Sequence, residues 1–449
     1  MAAYFWIISA ISRYPLVQTK RIVVVGAGPS GMMAAIRASQ LNQEVILCEK
    51  NSIPGRKLFL SGKGRCNLTN ACNPDLFLKR FSKNGEFLRN AFGKFFNQDL
   101  INFFKARGLE LKTERQLRVF PVTDSSASVI EVLKKELIKN KVRIIYKAKA
   151  KGILAEGNTV KGVSFESAES ISCSRVILGT GGVSYSFTGS SGEGLMMAQK
   201  LGHKIVPLRP GLVSLRVKEK YPKILEGLTL KNIRIKFYNG KKEIVSEVGE
   251  LVFTETGISG PLVLTLSGRI IDWLEDKKEV YPVRNLGLPH KHSGISNGVY
   301  AEIDLKPGLS PEQLDGRLLR EFKIGPKKNI KNIMKSLLPL KLADLIMGIA
   351  KVKPAQKANQ ITHDERRRIS VLLKGWRLNI TGSGSIEEGM VTRGGGSLKE
   401  INPATMESRL IHGLYFCGEM IDVDADTGGF NLQAAFSTGY LAGESAALN

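Results

Sequence analysis

The stretch RIVVVGAGPSGMMAAIRASQLNQEVILCE, residues 21–49, decides the fold. A short run of branched apolar residues is followed by a glycine-rich turn, a helical pattern, a second apolar run and an acid. The predicted elements are, in order, the strand Arg21–Val25, the turn Gly26–Gly31, the helix Met32–Leu41, the strand Glu44–Leu47 and the acid Glu49. A GxGxxG turn is typical of dinucleotide binding when it stands in this strand–turn–helix–strand–acid context. The stretch therefore predicts a Rossmann-like nucleotide-binding unit.

The turn has a physical reason for each of its glycines. Gly26 allows the tight turn, Gly28 lets the backbone approach a pyrophosphate, and Gly31 lets the helix pack on the strand. The helix N-terminus adds free N–H groups and a partial positive charge. Glu49 can accept hydrogen bonds from both ribose hydroxyls, and its charge would repel a 2′-phosphate. The expected cofactor contacts here are Gly26, Gly28, Pro29, Ser30, Gly31, Glu49 and Lys50.

The next segment, GRKLFLSGKGRCNLTN at 55–70, favours FAD as the dinucleotide. Its glycines permit close backbone approach, its cations suit phosphates, and its Asn and Thr side chains can hydrogen-bond a ring or ribityl chain. Cys66 is interpreted as a small buried residue, with a redox thiol as the alternative. A dithiol mechanism would need a partner cysteine, and none stands beside Cys66. The expected contacts are Gly55, Arg56, Lys57, Ser61, Gly62, Gly64, Arg65, Cys66 and Asn67.

Four later pieces complete the predicted cofactor site. The strand Ser174–Leu178 runs into a Gly-rich turn, and the strand Gly413–Cys417 runs into Gly418-Glu419. A helix that starts after a Gly-Gly turn and ends near Ala447 can direct its N-terminus at the flavin N1–C2=O edge. Ala150, at the end of a predicted strand Val142–Ala150, can meet the adenine through its backbone. The expected contacts are Ala150, Thr180, Gly181, Gly182, Gly418, Glu419, Asp422, Gly428, Gly429, Asn431 and Leu432.

With these motifs in place, the chain resembles the HI0933-like family of FAD-dependent oxidoreductases, within the two-dinucleotide-binding-domain flavoproteins. The motifs that carry the resemblance are Gly26–Gly31, the 55–70 segment, TGSSGEG at 188–194, FTETGISGP at 253–261 and GLYFCGEMIDVDADTGGFNLQAAFSTGYLAG at 413–443. The family often has Gly at the position of Ala425 and a small residue such as Ala at that of Cys417. The resemblance implies non-covalent FAD in a Rossmann-like domain with an inserted β-rich domain and a helical segment. Some members are NAD(P)H-dependent reductases of C=C bonds conjugated to a ketone, as in dehydro bile acids.

The expected fold class is therefore α/β, with a discontinuous FAD-binding domain. The predicted domains are a leader at 1–19, the FAD-binding domain at 20–206 and 375–449, a β-rich insertion at 207–308 and a helical insertion at 309–374. We expect Asp75–Gly108 to be mostly helical, with its many Phe side chains serving packing more than a pocket. The apolar run Ala2–Ile11 is too short to span a bilayer, so we expect no stable membrane insertion. It is interpreted as an artefact of an upstream start codon, a loose leader or a weak membrane contact.

Composition narrows the class of protein further. The 449 residues carry a net charge of +25, and residues 309–373 contain 14 Lys or Arg against 6 Asp or Glu. We interpret this excess as solvated basic faces rather than a nucleic-acid site, because no aromatics are interleaved for stacking on bases. The five cysteines form no CxxC pair, which indicates a reducing, cytoplasmic location and neither disulfides nor a metal site.

The catalytic residues are less well marked. Reduction of an activated alkene requires a proton donor besides the flavin, and the candidates are Tyr185, His203 and Glu255. No second strand–GxGxxG–helix unit is present, so NADH or NADPH would bind transiently over the flavin, or electrons would come from another donor. The leading hypothesis is an FAD-dependent reductase of a small, largely apolar molecule. The alternatives are a flavoprotein that binds or modifies RNA through its basic helical insertion, and a flavin redox sensor.

Overall fold

The computed structural model describes residues 21–275 and 298–449, so the predicted leader at 1–19 lies outside the described residues. The chain divides into two compact units. The first unit contains 21–208 and Arg393–Asn449, and the second contains Arg209–Thr392 with its gap at 276–297. The chain leaves the first unit through the strand Ile205–Gly211 and returns through the strand Val391–Gly396.

The first unit is built on a five-stranded sheet whose strands all pair in parallel. In spatial order the strands are Leu414–Phe416, Arg175–Leu178, Ile22–Val25, Val45–Cys48 and Arg143–Ile145. Apart from Arg175 and the outer strand Arg143–Ile145, every residue of these strands is buried, as expected for a parallel sheet covered on both faces. The C-terminal strand pairs with Arg175–Leu178. The α/β class and the discontinuous Rossmann-like domain are thus confirmed.

Two helices of the first unit approach each other through small residues. Gly439 and Gly443 lie on the helix Phe430–Leu448, one turn apart. A Cβ at Gly439 would lie 2.2 Å from the Ser30 carbonyl oxygen, and one at Gly443 would lie 2.3 Å from that of Ala34. Only glycine permits this approach, which locks the C-terminal helix against the helix that follows the GxGxxG turn.

The remaining elements of the first unit surround this core. Two small antiparallel sheets have three strands each. The first contains Thr69–Asn70, Arg118–Pro121 and Leu111–Thr113, and the second contains Ala150–Glu156, Thr159–Phe165 and Ile171–Ser172. The helices are Pro29–Gln40, Arg56–Leu60, Pro74–Leu78, Arg89–Lys94, Asn97–Lys105, Ser126–Lys139, Glu193–Lys200 and Phe430–Leu448. The strand predicted over Val142–Ala150 ends at Ile145, and Ala150 instead begins the next strand.

The region 75–108 forms four short helical pieces instead of one long helix. Breaks fall at Asn84 and at Phe95, where the backbone leaves the helical region. The Phe side chains pack on one another and on the C-terminal helix, as expected. Phe77, for example, meets the ring of Phe430 edge-on at 4.7 Å between centroids.

The second unit contains a seven-stranded sheet that closes on itself, because Thr229–Asn239 also pairs with Val299–Asp304. Its strands are, in order, Lys242–Val245, Thr229–Asn239, Gly249–Thr254, Gly257–Ser259, Leu215–Val217, Trp376–Ser383 and Val299–Asp304. The Asn239-Gly240 turn joins a hairpin, as the sequence predicts. Ser259 ends a strand, and the following helix begins at Pro261.

The helices of the second unit share one hydrophobic core with this sheet. They are Tyr221–Ile224, Pro261–Glu275, Pro311–Ile324, Ile330–Met334, Leu340–Ile349 and His363–Lys374. Leu314 and Ile369 from the helices join Phe237 and Leu378 from the strands in that core. The β-rich and helical insertions therefore form one unit. The strand Trp376–Ser383 pairs inside it, so the return to the first unit occurs at Arg393 rather than at 375.

Among the described residues, none of the helices has the length and apolar content to cross a bilayer.

Candidate functional site

The GxGxxG turn follows the strand Ile22–Val25, and its glycines differ in what surrounds them. A Cβ at Gly26 would lie 2.6 Å from the Gly179 carbonyl oxygen, and one at Gly31 would lie 1.9 Å from that of Gly26. A Cβ at Gly28 would meet nothing nearer than 3.9 Å. Gly26 and Gly31 are therefore required by the protein itself, whereas Gly28 leaves open a space beside the backbone. Such a space suits a phosphate that must approach closely.

The helix Pro29–Gln40 begins directly at this space. Gly28 is its N-cap residue and supplies no side-chain acceptor to the first turn, and Pro29 lacks an N–H. The remaining N–H groups of the first turn and the positive end of the helix dipole are available to an anion. Ser30 is buried, and a Cβ at Gly418 would lie 2.4 Å from its hydroxyl oxygen. The N- and C-terminal parts of the site thus meet at Ser30.

Glu49, at the end of the second strand, is buried, and its carboxylate is already engaged. Oε2 accepts from the Ala27 N–H at 2.8 Å, and Oε1 accepts from the N–H and the side-chain amide of Asn51 at 2.8 and 2.7 Å. A carboxylate has about four lone-pair sites, so about one remains, on Oε2. A ribose would find one acceptor in this arrangement, and a second would require Asn51 to give way.

Neighbouring backbone brings the predicted adenine contact to the same place. The Ala148 N–H donates to the Glu49 carbonyl at 2.9 Å, and the Lys147 N–H donates to that of Asn51 at 3.1 Å. Ala150 follows two residues later and is buried.

The 55–70 segment contains an unusual concentration of left-handed backbone. Gly62, Lys63, Gly64 and Cys66 all have positive φ, between 58° and 83°. Cys66 is fully buried, and burial raises the pKa of its thiol to about 12, opposed only in part by a hydrogen bond with Ser61. Such a thiol is protonated and shielded. This environment favours the small buried residue over the redox thiol.

The predicted cations of this segment differ in their partners. Arg56 is exposed and donates to the Asn51 side-chain oxygen at 2.9 Å. Arg65 binds the carboxylates of Glu114 and Asp124, and its guanidinium lies 4.3 Å from the Phe120 ring centroid. Its donors are therefore committed to the small sheet, which weakens the case for Arg65 as a phosphate ligand.

Lys57 lies at the centre of a polar cluster, the Lys57–Ser184–Glu419 cluster, that joins three separate segments. Its ammonium donates to the Ser184 hydroxyl at 2.7 Å and to Glu419 Oε2 at 2.6 Å. Ser184 in turn donates to Glu419 Oε1 at 2.9 Å and is fully buried. The sequence predicts Lys57 and Glu419 as cofactor contacts but not Ser184. The sequence signal that could have indicated Ser184 is its position, as a polar residue soon after the Gly-rich turn at 179–182.

Lys50 and the turn at 180–182 form the adjoining wall. Lys50 donates to the Ser191 hydroxyl and to Glu193. Burial would raise the pKa of Glu193, yet the hydrogen bond and charge of Lys50 hold it below its ordinary value. Thr180 donates to the sulfur of Met420 at 3.1 Å, which links this turn to the Gly418–Glu419 segment.

The C-terminal glycines lie against the 55–70 segment. Gly429 caps the helix Phe430–Leu448 with a φ of 98°, and a Cβ there would lie 2.4 Å from the Thr69 carbonyl. With its amide oriented to satisfy both partners, Asn67 donates to the Thr69 carbonyl at 3.2 Å and accepts from the Gly429 N–H at 3.0 Å. Asn431 bonds both the N–H and the carbonyl of Ala425 at 2.9 Å. Leu432 follows in the first helical turn.

Three acids stand before this turn, Asp422, Asp424 and Asp426, and each contacts the 80–84 segment, Asp426 through Arg80 at 3.7 Å. Asp422 accepts from the Asn84 amide at 3.1 Å, and burial raises the pKa of its carboxyl. Asp424 accepts from the Ser82 hydroxyl at 2.6 Å and faces Arg393 at 3.7 Å. These contacts indicate that the acids hold the 422–426 loop against its neighbours.

The three candidate proton donors occupy different environments. Tyr185 follows Ser184 directly, has a positive φ of 52°, and burial raises the pKa of its hydroxyl. His203 is buried, with its ring nitrogens 2.9 Å from the Ser408 hydroxyl and 3.4 Å from Glu400, and burial lowers its pKa. Glu255 is exposed in the second unit and pairs with Lys223 at 3.3 Å. Of the two candidates in the first unit, Tyr185 directly follows Ser184 of the polar cluster, whereas His203 is held by Ser408 and Glu400.

The site fits a flavin dinucleotide on three observations. An open space lies beside Gly28, the first turns of Pro29–Gln40 and Phe430–Leu448 converge on the glycine-rich segments, and a protein carboxylate stands at the ribose position of the Rossmann motif. No cluster of metal-ligating side chains is found among residues 21–275 and 298–449. This combination is that of a Rossmann-like dinucleotide-binding protein.

The family described as HI0933-like protein Rossmann domain matches residues 20–445. The chain belongs to this family and is an FAD-dependent oxidoreductase. It is 29% identical over 432 residues to the 3-dehydro-bile acid delta(4,6)-reductase of Clostridium scindens, covering 95% of this chain and 99% of that protein. It is 27% identical over 423 residues to the ribosomal RNA dihydrouridine synthase of Escherichia coli, covering 93% and 96%. In a solved structure, the 3-ketosteroid-delta4-(5alpha)-dehydrogenase of Rhodococcus jostii RHA1 aligns at 14% identity with a TM-score of 0.44, over 95% of this chain and 96% of that chain.

Proposed function

We propose that this enzyme reduces a C=C bond conjugated to a carbonyl, using electrons that NADH or NADPH delivers to its FAD. The names of both relatives support this reaction class. A Δ4,6 double-bond system next to a 3-keto group and the uracil C5=C6 bond beside its C4 carbonyl are both activated alkenes. Their reduction needs a hydride at the β-carbon and a proton at the α-carbon.

When bound, FAD supplies the hydride from N5. The chain supplies binding and polarity. The space beside Gly28 would take the pyrophosphate, Glu49 would orient a ribose, and the positive end of the helix Phe430–Leu448 would favour negative charge on the flavin. The residues proposed to hold FAD are those predicted from the sequence, with Asn51 and Ser184 added and Arg65 given a structural role.

The observation that carries the proposal is the Lys57–Ser184–Glu419 cluster. It ties the 55–70 segment, the turn after Gly179 and the Gly418–Glu419 segment together through three hydrogen bonds. Tyr185 extends from this cluster in a strained backbone conformation, of the kind found at functional sites. A tyrosine hydroxyl is protonated at neutral pH and can donate a proton, and burial, which raises the pKa of Tyr185, extends that protonated range to higher pH. We assign His203 and Glu255 no catalytic role.

Two substrates fit this chemistry. The first is a small, largely apolar enone, because the relative from Clostridium scindens acts on such a molecule. The second is a uracil in RNA, because the relative from Escherichia coli is a ribosomal RNA dihydrouridine synthase.

The test begins with the visible spectrum of the purified protein, followed anaerobically as NADH and then NADPH is added. Bleaching of the flavin bands supports a nicotinamide-driven enzyme. Re-oxidation of the reduced flavin by a 3-keto-Δ4 steroid or by uridine-rich RNA then identifies the substrate class. Flavin that neither nicotinamide reduces would contradict the proposed donor and favour another donor or the redox sensor.

Tyr185→Phe tests the proton donor. We expect turnover to fall about 100-fold while flavin reduction by the nicotinamide keeps its rate. In the wild type, turnover should hold through neutral pH and fall only as the pH rises above the ordinary tyrosine range, because the raised pKa keeps the donor protonated. Tyr221→Phe, in the second unit, is the control. Equal turnover in wild type and Tyr185→Phe would exclude the role.

A further inference from the structure

The second unit contains an open pocket of about 290 Å³ that is lined only by residues of that unit. It lies between the strand Thr229–Asn239, the loop after Val299–Asp304 and the helix Pro311–Ile324. Three of its lining residues are cations, Lys231, Lys306 and Arg317, and none is acidic. A concave site with three cations and no carboxylate has the composition of an anion site.

The cations of this pocket have few partners among the described residues. Arg317 and Lys231 make no hydrogen bond or ion pair there, and the Lys306 ammonium donates only to the Leu337 carbonyl at 2.7 Å. The nearby acids are committed elsewhere. Asp304 pairs with Lys374 at 2.6 Å, and Asp315 pairs with Arg366 at 2.7 Å. The positive charge of the pocket is therefore not neutralised by the protein.

The loop at 305–309, which forms one wall of the pocket, is held in place by hydrogen bonds from Lys374. Lys374 donates to Asp304, to the Lys306 carbonyl at 3.1 Å and to the Leu309 carbonyl at 2.7 Å. The Lys306 N–H also donates to Asp304 at 2.9 Å. The cations are therefore presented by a fixed backbone, which lowers the entropy lost when a ligand binds.

The surroundings of Lys306 disfavour its positive charge, and a bound anion would stabilise that charge. Burial and then the nearby charge of Arg317 lower the pKa of its ammonium. The sequence that follows adds a field of the same sign, since residues 323–357 contain nine lysines and a single acid, Asp344. Such a field attracts anions towards the pocket.

We propose that this pocket binds a phosphate group, held by Lys231, Lys306 and Arg317. The phosphate belongs either to the backbone of an RNA chain or to a free phosphorylated small molecule. The inference does not depend on the reaction at the flavin, because it is tested by binding alone.

The experiment uses the FAD-loaded full chain and the variant Arg317→Gln, with Arg320→Gln as the matched control. Arg320 lies one turn further along the same helix and is exposed, so its loss removes the same charge outside the pocket. Calorimetry with pyrophosphate and fluorescence anisotropy with a labelled single-stranded RNA give the two affinities. We expect Arg317→Gln to weaken binding at least about 10-fold and Arg320→Gln to change it less than about 3-fold. For RNA, the slope of log affinity against log salt concentration should also become shallower by about 0.7, because one phosphate contact is lost.

Each outcome decides the matter. Weakening of both anions, or of one, by Arg317→Gln supports the site and identifies the source of the phosphate. Equal effects of the two variants would reduce the pocket to part of a diffuse cationic surface and overturn the proposal, as would a wild type that binds neither anion. Far-UV circular dichroism and thermal melting verify the fold. Lys231→Gln, which changes an exposed side chain, serves as the second variant if Arg317→Gln melts early.

Discussion

The glycine-rich cofactor segments of the first unit depend on close backbone packing, whereas the cationic surface of the second unit depends on exposed charge. Around Gly26 and Gly31, backbone atoms of the 26–31 turn and of Gly179 approach so closely that one added carbon would collide. On residues 323–357 of the second unit, most lysines are exposed over an ordinary apolar core. The first region specifies position to a fraction of an ångström, whereas the second specifies charge and tolerates many side chains. Substitutions should therefore have large effects in the first region and small effects in the second.

Gly31→Ala should produce the largest effect. Its Cβ would lie 1.9 Å from the Gly26 carbonyl oxygen, so the turn or the helix must move. We expect a loss of about 3 kcal/mol or more in the free energy of unfolding and a protein purified without flavin. Gly28→Ala is the matched control, because its Cβ meets no protein atom nearer than 3.9 Å. It should keep the unfolding free energy and lose only FAD affinity. Equal stability losses in both variants, measured by urea unfolding, would contradict the proposed division of roles.

Glu49→Gln sharpens the same comparison for a side chain. The amide retains one acceptor oxygen and presents an NH₂ group to either the Ala27 or the Asn51 N–H. We expect FAD binding to weaken by about 2 kcal/mol, or roughly 30-fold, measured by flavin fluorescence on titration of the apoprotein. Glu44→Gln, which removes an exposed carboxylate paired with Arg21, should leave FAD affinity unchanged. An effect of Glu44→Gln as large as that of Glu49→Gln would point to general electrostatics instead of a specific contact.

The sequence predicts the parallel sheet and its flanking helices well because their signals are local. The strand predicted at Arg21–Val25 is observed at Ile22–Val25, and the helix predicted to end near Ala447 ends at Leu448. Apolar runs bounded by glycine define such elements within a residue or two. The resemblance to the HI0933-like family was carried by these same motifs and is confirmed.

The sequence predicts poorly what depends on long-range pairing. Trp376–Ser383 reads as a strand, but nothing local indicates that it pairs with Leu215–Val217 and Val299–Asp304 in the second unit. Ser184 and Asn51 were missed for the same reason, since each acquires its meaning from partners brought close by the fold. Conversely, Arg65 has the residue type of a phosphate ligand, but folding places Glu114 and Asp124 beside it.

The Lys57–Glu419 pair tests whether the cofactor region also depends on charge. Both side chains are about one-fifth exposed, so water screens them less than a surface pair. A double-mutant cycle with Lys57→Met and Glu419→Gln should give a coupling free energy of about 1.5 kcal/mol in urea unfolding. The cycle with Lys223→Met and Glu255→Gln, an exposed pair in the second unit, should give less than about 0.5 kcal/mol. Equal couplings would remove the distinction between the two regions.

Thr362→Ala should have the smallest effect of the substitutions in folded elements. Thr362 begins the helix His363–Lys374, where its hydroxyl accepts from the Glu365 N–H at 3.2 Å and its own N–H donates to Glu365 at 2.8 Å. Loss of the cap should cost about 1 kcal/mol in urea unfolding followed by far-UV circular dichroism, and Thr362→Ser should retain most of it. The backbone hydrogen bond from Thr362 lowers the pKa of Glu365, so its contribution is complete above the ordinary glutamate pKa and declines as the pH falls below it. FAD affinity should not change, because the residues proposed to hold FAD all belong to the first unit. A weaker FAD complex in Thr362→Ala would show instead that the geometry of the cofactor segments depends on the stability of the second unit.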